Sequence, residues 1–316
     1  MKHLEYAFDG KNQIWRYIVL LALVFIISNT IGSIPLAVMI GISVVRDGAA
    51  EMPENIMDFS AYGIDQNVGF AAIMFAFMTA LIGFILLLRP MHNRNLKGII
   101  NGGAPIRWNH LFSGFVLWGA FILLSFLITY LMVPGNITLQ LDLKSFIPLF
   151  FITLLMVPFQ TSFEEITFRG YLMQGVATRT RSRIWSLISV AVAFGLMHSM
   201  NPEVKELGFF LAMPQYIMMG LLLGVVTVLD DGIEVALGIH AANNMVTALV
   251  YTNESSAFQT PSVFLMKEMF PVSDLIQITV FSIVFVIILK ARYKWNWHVL
   301  KQKVEPEIMV QKTQNI

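Results

Sequence analysis

Apolar stretches of about 20 residues, separated by short polar segments, fill most of the chain. They lie near residues 15–40, 68–88, 109–132, 145–176, 184–200, 209–229, 233–251 and 273–290. Each run is continuous rather than alternating, so it lacks the period-2 pattern of a membrane barrel strand and predicts a helix. Each is about long enough to cross a hydrocarbon layer roughly 30 Å thick. The expected fold class is therefore all-α, a polytopic membrane helix bundle with about eight transmembrane helices.

The polar segments between the runs alternate in charge. Basic residues gather before the first run (Lys2, Lys11, Arg16), after the second (Arg89, Arg94, Lys97, Arg107), after the fourth (Arg179, Arg181, Arg183) and after the eighth (Lys290, Arg292, Lys294, Lys301, Lys303). The segment after the first run carries Glu51, Glu54, Asp58 and Asp65 against Arg46, and the one after the seventh carries Glu254, Glu268 and Asp274 against Lys267. By the positive-inside rule the basic segments are cytoplasmic, which places both termini in the cytoplasm of a multi-pass protein of the cell membrane. The turn Asp230-Asp231-Gly232 falls on the inside of this scheme without a basic residue, but acidic residues weigh little in the rule. Trp295 and Trp297 sit where an interfacial aromatic belt is expected. No internal repeat or linker divides the chain. Residues 1–144 read as about three N-terminal transmembrane helices, 145–251 as a central core of four further runs, and 252–316 as a last helix with a basic tail.

Composition supports the membrane reading. Hydrophobic residues make up 56% of 316 positions and charged residues 13%, too few charges to cover a soluble globule of this size. The formal net charge is +1 and no basic run is interleaved with aromatics, so no nucleic-acid partner is expected. Without a single cysteine the chain has no disulfide and no thiol nucleophile. The first run is too long for the core of a cleaved signal peptide and reads as an uncleaved span.

Against this background, three polar intrusions carry the chemistry. In the fourth run, Glu164, Glu165 and Arg169 occur together within TSFEEITFRG. A charge at the bilayer centre costs roughly 2.5–3.5 kcal/mol, so these groups must face one another or a cavity. Glu165 and Arg169 are four apart in the favourable order for a helical ion pair. Glu164 points about 100° away and needs a partner from another helix. In the fifth run, Phe194 and His198 lie in FGLMH. With a hairpin apex at residue 181, Glu164 and His198 are each 17 residues from the turn and reach the same depth. In the seventh, His240 and Asn244 share one helix face, with His240 about 10 Å from its turn. The cavity implied by these depths opens toward the cytoplasm. His3, His92, His110 and His298 fall at span ends, where an imidazole needs no special partner. Gly220 and Gly224 form a GxxxG spacing that predicts close helix packing.

In order, EEITFR (164–169), FGLMH (194–198) and HAANN (240–244) resemble the EExxxR, FxxxH and HxxxN motifs of the CPBP intramembrane proteases, also called the CAAX protease and bacteriocin-processing, or Abi, family. The resemblance covers about residues 145–251. It implies an eight-helix bundle around a hydrophilic cavity and hydrolysis of peptide bonds in membrane-associated proteins or peptides. It assigns Glu164 and His198 to activation of a water, His240 and Asn244 to the oxyanion, and Glu165, Arg169 and Phe194 to support. Peptide maturation or bacteriocin immunity are the roles it suggests.

No cofactor is required in this reading. A zinc peptidase is the nearest alternative, with Glu164, His198 and His240 as ligands, although Asn244 is a poor zinc ligand and no HExxH helix is present. A transporter or a non-proteolytic scaffold is the alternative outside enzymes, since transporters also bury Glu and His. The expected partners are membrane lipids and a membrane-associated peptide or protein substrate.

Overall fold

A computed structural model of the chain describes residues 2–47 and 58–306. Glu51 and Glu54, used above for topology, lie outside the described residues, as does the end of the basic tail. Among the described residues there are twelve α-helices: α1 (Ile14–Ile27), α2 (Ile34–Asp47), α3 (Gln66–His92), α4 (Leu96–Asn101), α5 (Trp108–Met132), α6 (Leu143–Glu165), α7 (Met173–Thr180), α8 (Arg183–Met197), α9 (Pro202–Leu207), α10 (Phe209–Asp230), α11 (Glu234–Val250) and α12 (Pro271–Tyr293). The all-α membrane bundle expected from the sequence is the fold observed.

All eight apolar runs are helical, but six helical segments have both the length and the apolarity to cross a bilayer. Helices α8 and α11, of 15 and 17 residues, fall short. Helix α11 can be short because it is wrapped by protein rather than lipid: Val235, Ala236, Ile239 and Ala242 are all fully buried. The first run is not one span. It bends through a π-helical turn at Ser28–Gly32, which completes a span over Ile14–Gly32, and restarts as α2. A second π-helical turn, Ile166–Leu172, joins α6 to α7 in one 38-residue segment.

The helices pack by two devices. Leucines and isoleucines of α10 and α11 interlock with Trp118 and Ile122 of α5 and with Phe285 and Leu289 of α12. Where backbones approach closely, glycine makes room. A Cβ on Gly220 would lie 2.7 Å from the Ala191 carbonyl oxygen, and one on Gly224 3.0 Å from the Leu187 side chain, so the GxxxG face of α10 is the surface that seats α8.

The segments rich in Lys and Arg meet at one end of the bundle. The backbone amides of Lys2 and His3 donate to the Asp231 carboxylate at 2.9–3.0 Å. Arg183 is paired with Glu5, and the Val304 amide donates to the Arg181 carbonyl. Arg107 bridges Asp230 at 3.0 Å and Glu234 at 2.5 Å. The acidic turn that broke the charge pattern is thus neutralised from within by a basic residue of another loop. At the opposite end, strands β1 (Ile137–Leu139), β2 (Tyr251–Thr252) and β3 (Phe264–Met266) form a small sheet in the order β1-β3-β2, with β1 antiparallel and β2 parallel to β3.

Two expectations fail at the basic end. Trp295 is buried and donates Nε1–H to Asp230 at 2.9 Å, so of the pair only Trp297 is exposed. His3 and His92 are also buried rather than interfacial, because the N-terminal segment folds back over the loop after α3. His92 donates Nδ1–H to the Lys11 carbonyl and accepts from Tyr171 Oη, and His110 pairs with Asp230 at 2.9 Å.

Candidate active site

The π-helical turn after α6 places Arg169 back beneath Glu165. Arg169 Nη1 donates to Glu165 Oε1 at 2.7 Å with both side chains fully enclosed. The guanidinium lies 4.1 Å from the centroid of the Phe194 ring, so the phenylalanine covers the face of the cation that the carboxylate leaves open. Phe168 and Phe194, each 13 residues from Arg181, meet edge to face at 5.3 Å. The hairpin arms of α6–α7 and α8 are therefore in the register expected from the sequence.

Glu165 has a second partner. His240 Nδ1–H donates to the same Oε1 at 2.7 Å, which fixes the tautomer and turns Nε2 the other way. Glu164 Oε2 lies 3.6 Å from that Nε2, and Asn244 Nδ2 lies 3.4 Å from it. A neighbour for Glu164 from another helix is thus supplied by α11, as the sequence requires. Gln160, one turn before Glu164, completes the group: its Nε2 donates to Glu164 Oε1 at 2.5 Å and its Oε1 accepts from Asn244 Nδ2 at 2.9 Å. The sequence reading missed Gln160. Its signal was available in the i, i+4 spacing to Glu164, but a lone glutamine near a helix centre gives no reason to prefer it.

Glu164, Glu165, Arg169, His240 and Asn244 thus converge in one hydrogen-bonded cluster. His198 does not join it by a hydrogen bond. It caps α8, donates Nδ1–H to the Phe194 carbonyl at 2.8 Å and stacks on Tyr216 with ring centroids 4.6 Å apart. Its link to the cluster is the Phe194 ring, 4.7 Å from His198 and 5.9 Å from His240 between centroids.

A zinc site would need a third ligand beside Glu164 and His240. Among the described residues no three His, Asp or Glu side chains come together with the spacing of metal ligands. Glu164 and His240 Nε2 are near neighbours, while His198 packs against Phe194 and Tyr216 instead.

The cluster is also more closed than expected. The His240 side chain is 5% exposed and that of Glu164 12%. A cavity of about 360 Å³ lies beside it, lined by Asn243 and Thr247 of α11 and by Tyr216, the ring that stacks on His198. Its walls come from the ends of α5, α11 and α12 next to the small sheet. This cavity belongs to the half of the bundle away from the basic end, not to the half inferred from helix depth. The depth argument fixed how far His240 lies from its turn but carried no information on which neighbouring helices splay apart.

Comparison with known proteins bears on residues 143–246, which match the family model of the Rce1-like type II CAAX prenyl endopeptidases. An uncharacterized protein of Bacillus subtilis (strain 168), YyaK, is 27% identical over 260 residues, covering 81% of this chain and 84% of the relative. The matched segment spans α6 to α11 and includes every residue of the cluster. Over this segment the chain is similar to the CAAX protease family, which together with its six candidate membrane spans is consistent with a multi-pass intramembrane protease.

Proposed function

We propose that the protein hydrolyses peptide bonds of membrane-associated peptides or proteins with a carboxylate-activated water and no metal. The observation that carries this reading is the convergence on His240 Nε2, with Glu164 Oε2 at 3.6 Å and Asn244 Nδ2 at 3.4 Å. A base and two groups able to donate to an oxyanion then border one small volume.

Glu164 takes the proton from the water. One of its oxygens is held by Gln160 and the other has no hydrogen-bond partner, which leaves a lone pair for that proton. The hydroxide adds to the scissile carbonyl, and its oxygen becomes negative. Asn244 Nδ2–H donates to that oxygen, and His240 Nε2 donates as well when the ring is protonated, in a site shielded from bulk water. Glu165 and Arg169 hold the imidazole in place. His198 assists Glu164 through Nε2, its one ring nitrogen not engaged by the protein. The proton on Glu164 then passes to the leaving amine, and the C–N bond breaks. Peptide maturation and bacteriocin immunity are the roles that the family resemblance offers for such an activity, and the basic end of the bundle is assigned to the cytoplasm.

Purified protein and a membrane-associated peptide test the mechanism. Glu164→Gln keeps the shape and removes the base, so cleavage is lost while the melting temperature stays near the parent. Asn244→Ala lowers the rate by about 100-fold or more, the usual cost of one oxyanion donor. Stoichiometric zinc, with activity lost to a chelator and regained only with metal, would show the metal-free mechanism to be wrong.

A further inference from the structure

The cavity beside the cluster carries two carboxylates without a cation among its lining residues. Glu203 and Asp274 both line it, and its lining contains no lysine or arginine. Glu203 Oε1 accepts from Tyr216 Oη at 2.5 Å, while Oε2 is buried without a hydrogen-bond partner. Asp274 lies in the first turn of α12, where the Phe270 backbone amide reaches its carboxylate, but no cation is among the residues that line the cavity with it. Several carboxylates elsewhere among the described residues have a cation instead: Glu165 has Arg169, Glu234 and Asp230 have Arg107, and Glu5 has Arg183. A carboxylate at an apolar wall without a cation is costly, and a cationic ligand between two of them would offset that cost.

The rest of the lining suits a short stretch of peptide. The volume of about 360 Å³ lies at the lower end of the range for ligand sites, roughly 300–1,000 Å³. Aromatic walls from Trp118, Phe121 and Phe281 alternate with the polar groups of Ser125, Thr129 and Gln277. The cavity is also joined to the catalytic cluster. Asn243 takes a hydrogen bond from Trp118 Nε1 at 3.3 Å and donates to Asn244 Oδ1 at 3.1 Å, so a group lying on the cavity side of α11 touches the neighbour of the oxyanion donor.

We propose that this cavity is a substrate subsite for a cationic group, an amino terminus or a lysine or arginine side chain, carried by the part of the peptide flanking the cleaved bond. The subsite admits it from the end of the bundle that bears the small sheet. The assignment to substrate rests on the catalytic reading above; the preference for a cation does not.

The cysteine-free chain allows a direct test. A single thiol is introduced as Thr129→Cys, and its rates of modification by the cationic reagent MTSET and the anionic reagent MTSES are each normalised to a small free thiol. The normalised ratio should favour the cation by about fivefold or more. It should fall toward one when Asp274→Asn or Glu203→Gln is added, and Gln277→Arg, which adds a charge instead of removing one, should lower it in the same way. In the Glu164→Gln background, an acetylated lysine-containing tripeptide amide should protect the thiol better than its glutamine counterpart. A ratio near one in the starting protein, a ratio that ignores all three substitutions, or equal protection by the two peptides overturns the subsite. These readouts need no turnover. If protection holds and no peptide is cleaved by the parent protein, it is the catalytic reading that fails and the cation site that stands.

Discussion

The single most constrained atom of the site is Glu165 Oε1, which accepts from both Arg169 Nη1 and His240 Nδ1 at 2.7 Å. A buried ion pair costs most when one partner is removed, because the other charge is left without compensation. Arg169→Met alone should therefore lower folded yield, in keeping with a cost of about 3–5 kcal/mol, and adding Glu165→Gln should recover part of it. Thermal melting of the two single variants and the double variant measures the coupling, and strictly additive losses would show no interaction. Gln160 makes a different prediction. It links Glu164 to Asn244 but is itself neutral, so Gln160→Leu should leave melting close to the parent and lower the cleavage rate by up to about 100-fold through misplacement of both groups. A matching loss in Tm with unchanged specific activity of the folded fraction would make Gln160 a packing residue only.

At the scale of elements, close helix approach and end capping decide more than propensity. Gly220 lies against the Ala191 carbonyl, with 2.7 Å available to a Cβ, so Gly220→Val should overpack the α8–α10 contact and cost roughly 1–3 kcal/mol. Gly41 in α2 has nothing within 4 Å of a built Cβ, and Gly41→Ala should be neutral or gain roughly 0.5–1 kcal/mol. Melting both variants side by side separates steric cost from loss of glycine as such. The N-terminal segment makes a pH prediction. Burial, working against the nearby Asp231 carboxylate, lowers the His3 pKa from 6.5 to about 4, and its Nε2–H donates to the Ile99 carbonyl. The unfolded segment binds a proton at a higher pH than the folded one, so the contribution of His3 to docking is complete above about 6.5 and is lost as pH falls toward 4. Hydrogen exchange at residues 2–9, corrected for intrinsic rates, should show the segment opening across that window. His3→Gln should flatten the dependence.

For the whole molecule, the arrangement of loops carries a topological prediction. The N-terminal segment, the turns at 181 and 230–232, and the chain from Trp295 to Val304 all touch one another at one end, so they must share one side of the membrane whichever side that is. The positive-inside rule predicts that this basic side is the cytoplasmic one. A sole cysteine at Ser255 should react with an impermeant reagent added to intact cells, and one at Ser182 should react only after the membrane is opened. External labelling at Ser182 would reverse the orientation. The spans also show why so few charges suffice: Ile14, Phe25, Leu86, Val116, Leu155 and Ile287 are exposed large apolar residues on the outer faces of their helices, the surface that lipid covers.

The order of apolar runs determined the helices and their sequence along the chain, because a membrane segment must satisfy its own backbone and therefore announces itself by length and apolarity. The same sequence also determined the Glu165–Arg169 pair and the register of the α6–α7 and α8 arms, since both follow from fixed helical spacing about a turn at Arg181. Local rules could not reach further. That α8 and α11 are shorter than a span, that Arg107 neutralises the turn at Asp230, and that His3 and His92 are buried depend on which helices become neighbours. The meeting of Gln160, Glu164, His240 and Asn244 likewise joins two helices about 80 residues apart in the chain. Spacing along one helix fixes only which residues share a face. Which face looks at which, and where the bundle parts to leave a cavity lined by Glu203 and Asp274, is decided by the packing of all the helices at once, because each contact is the joint result of side-chain volume, glycine clearance and paired charge on elements distant in sequence.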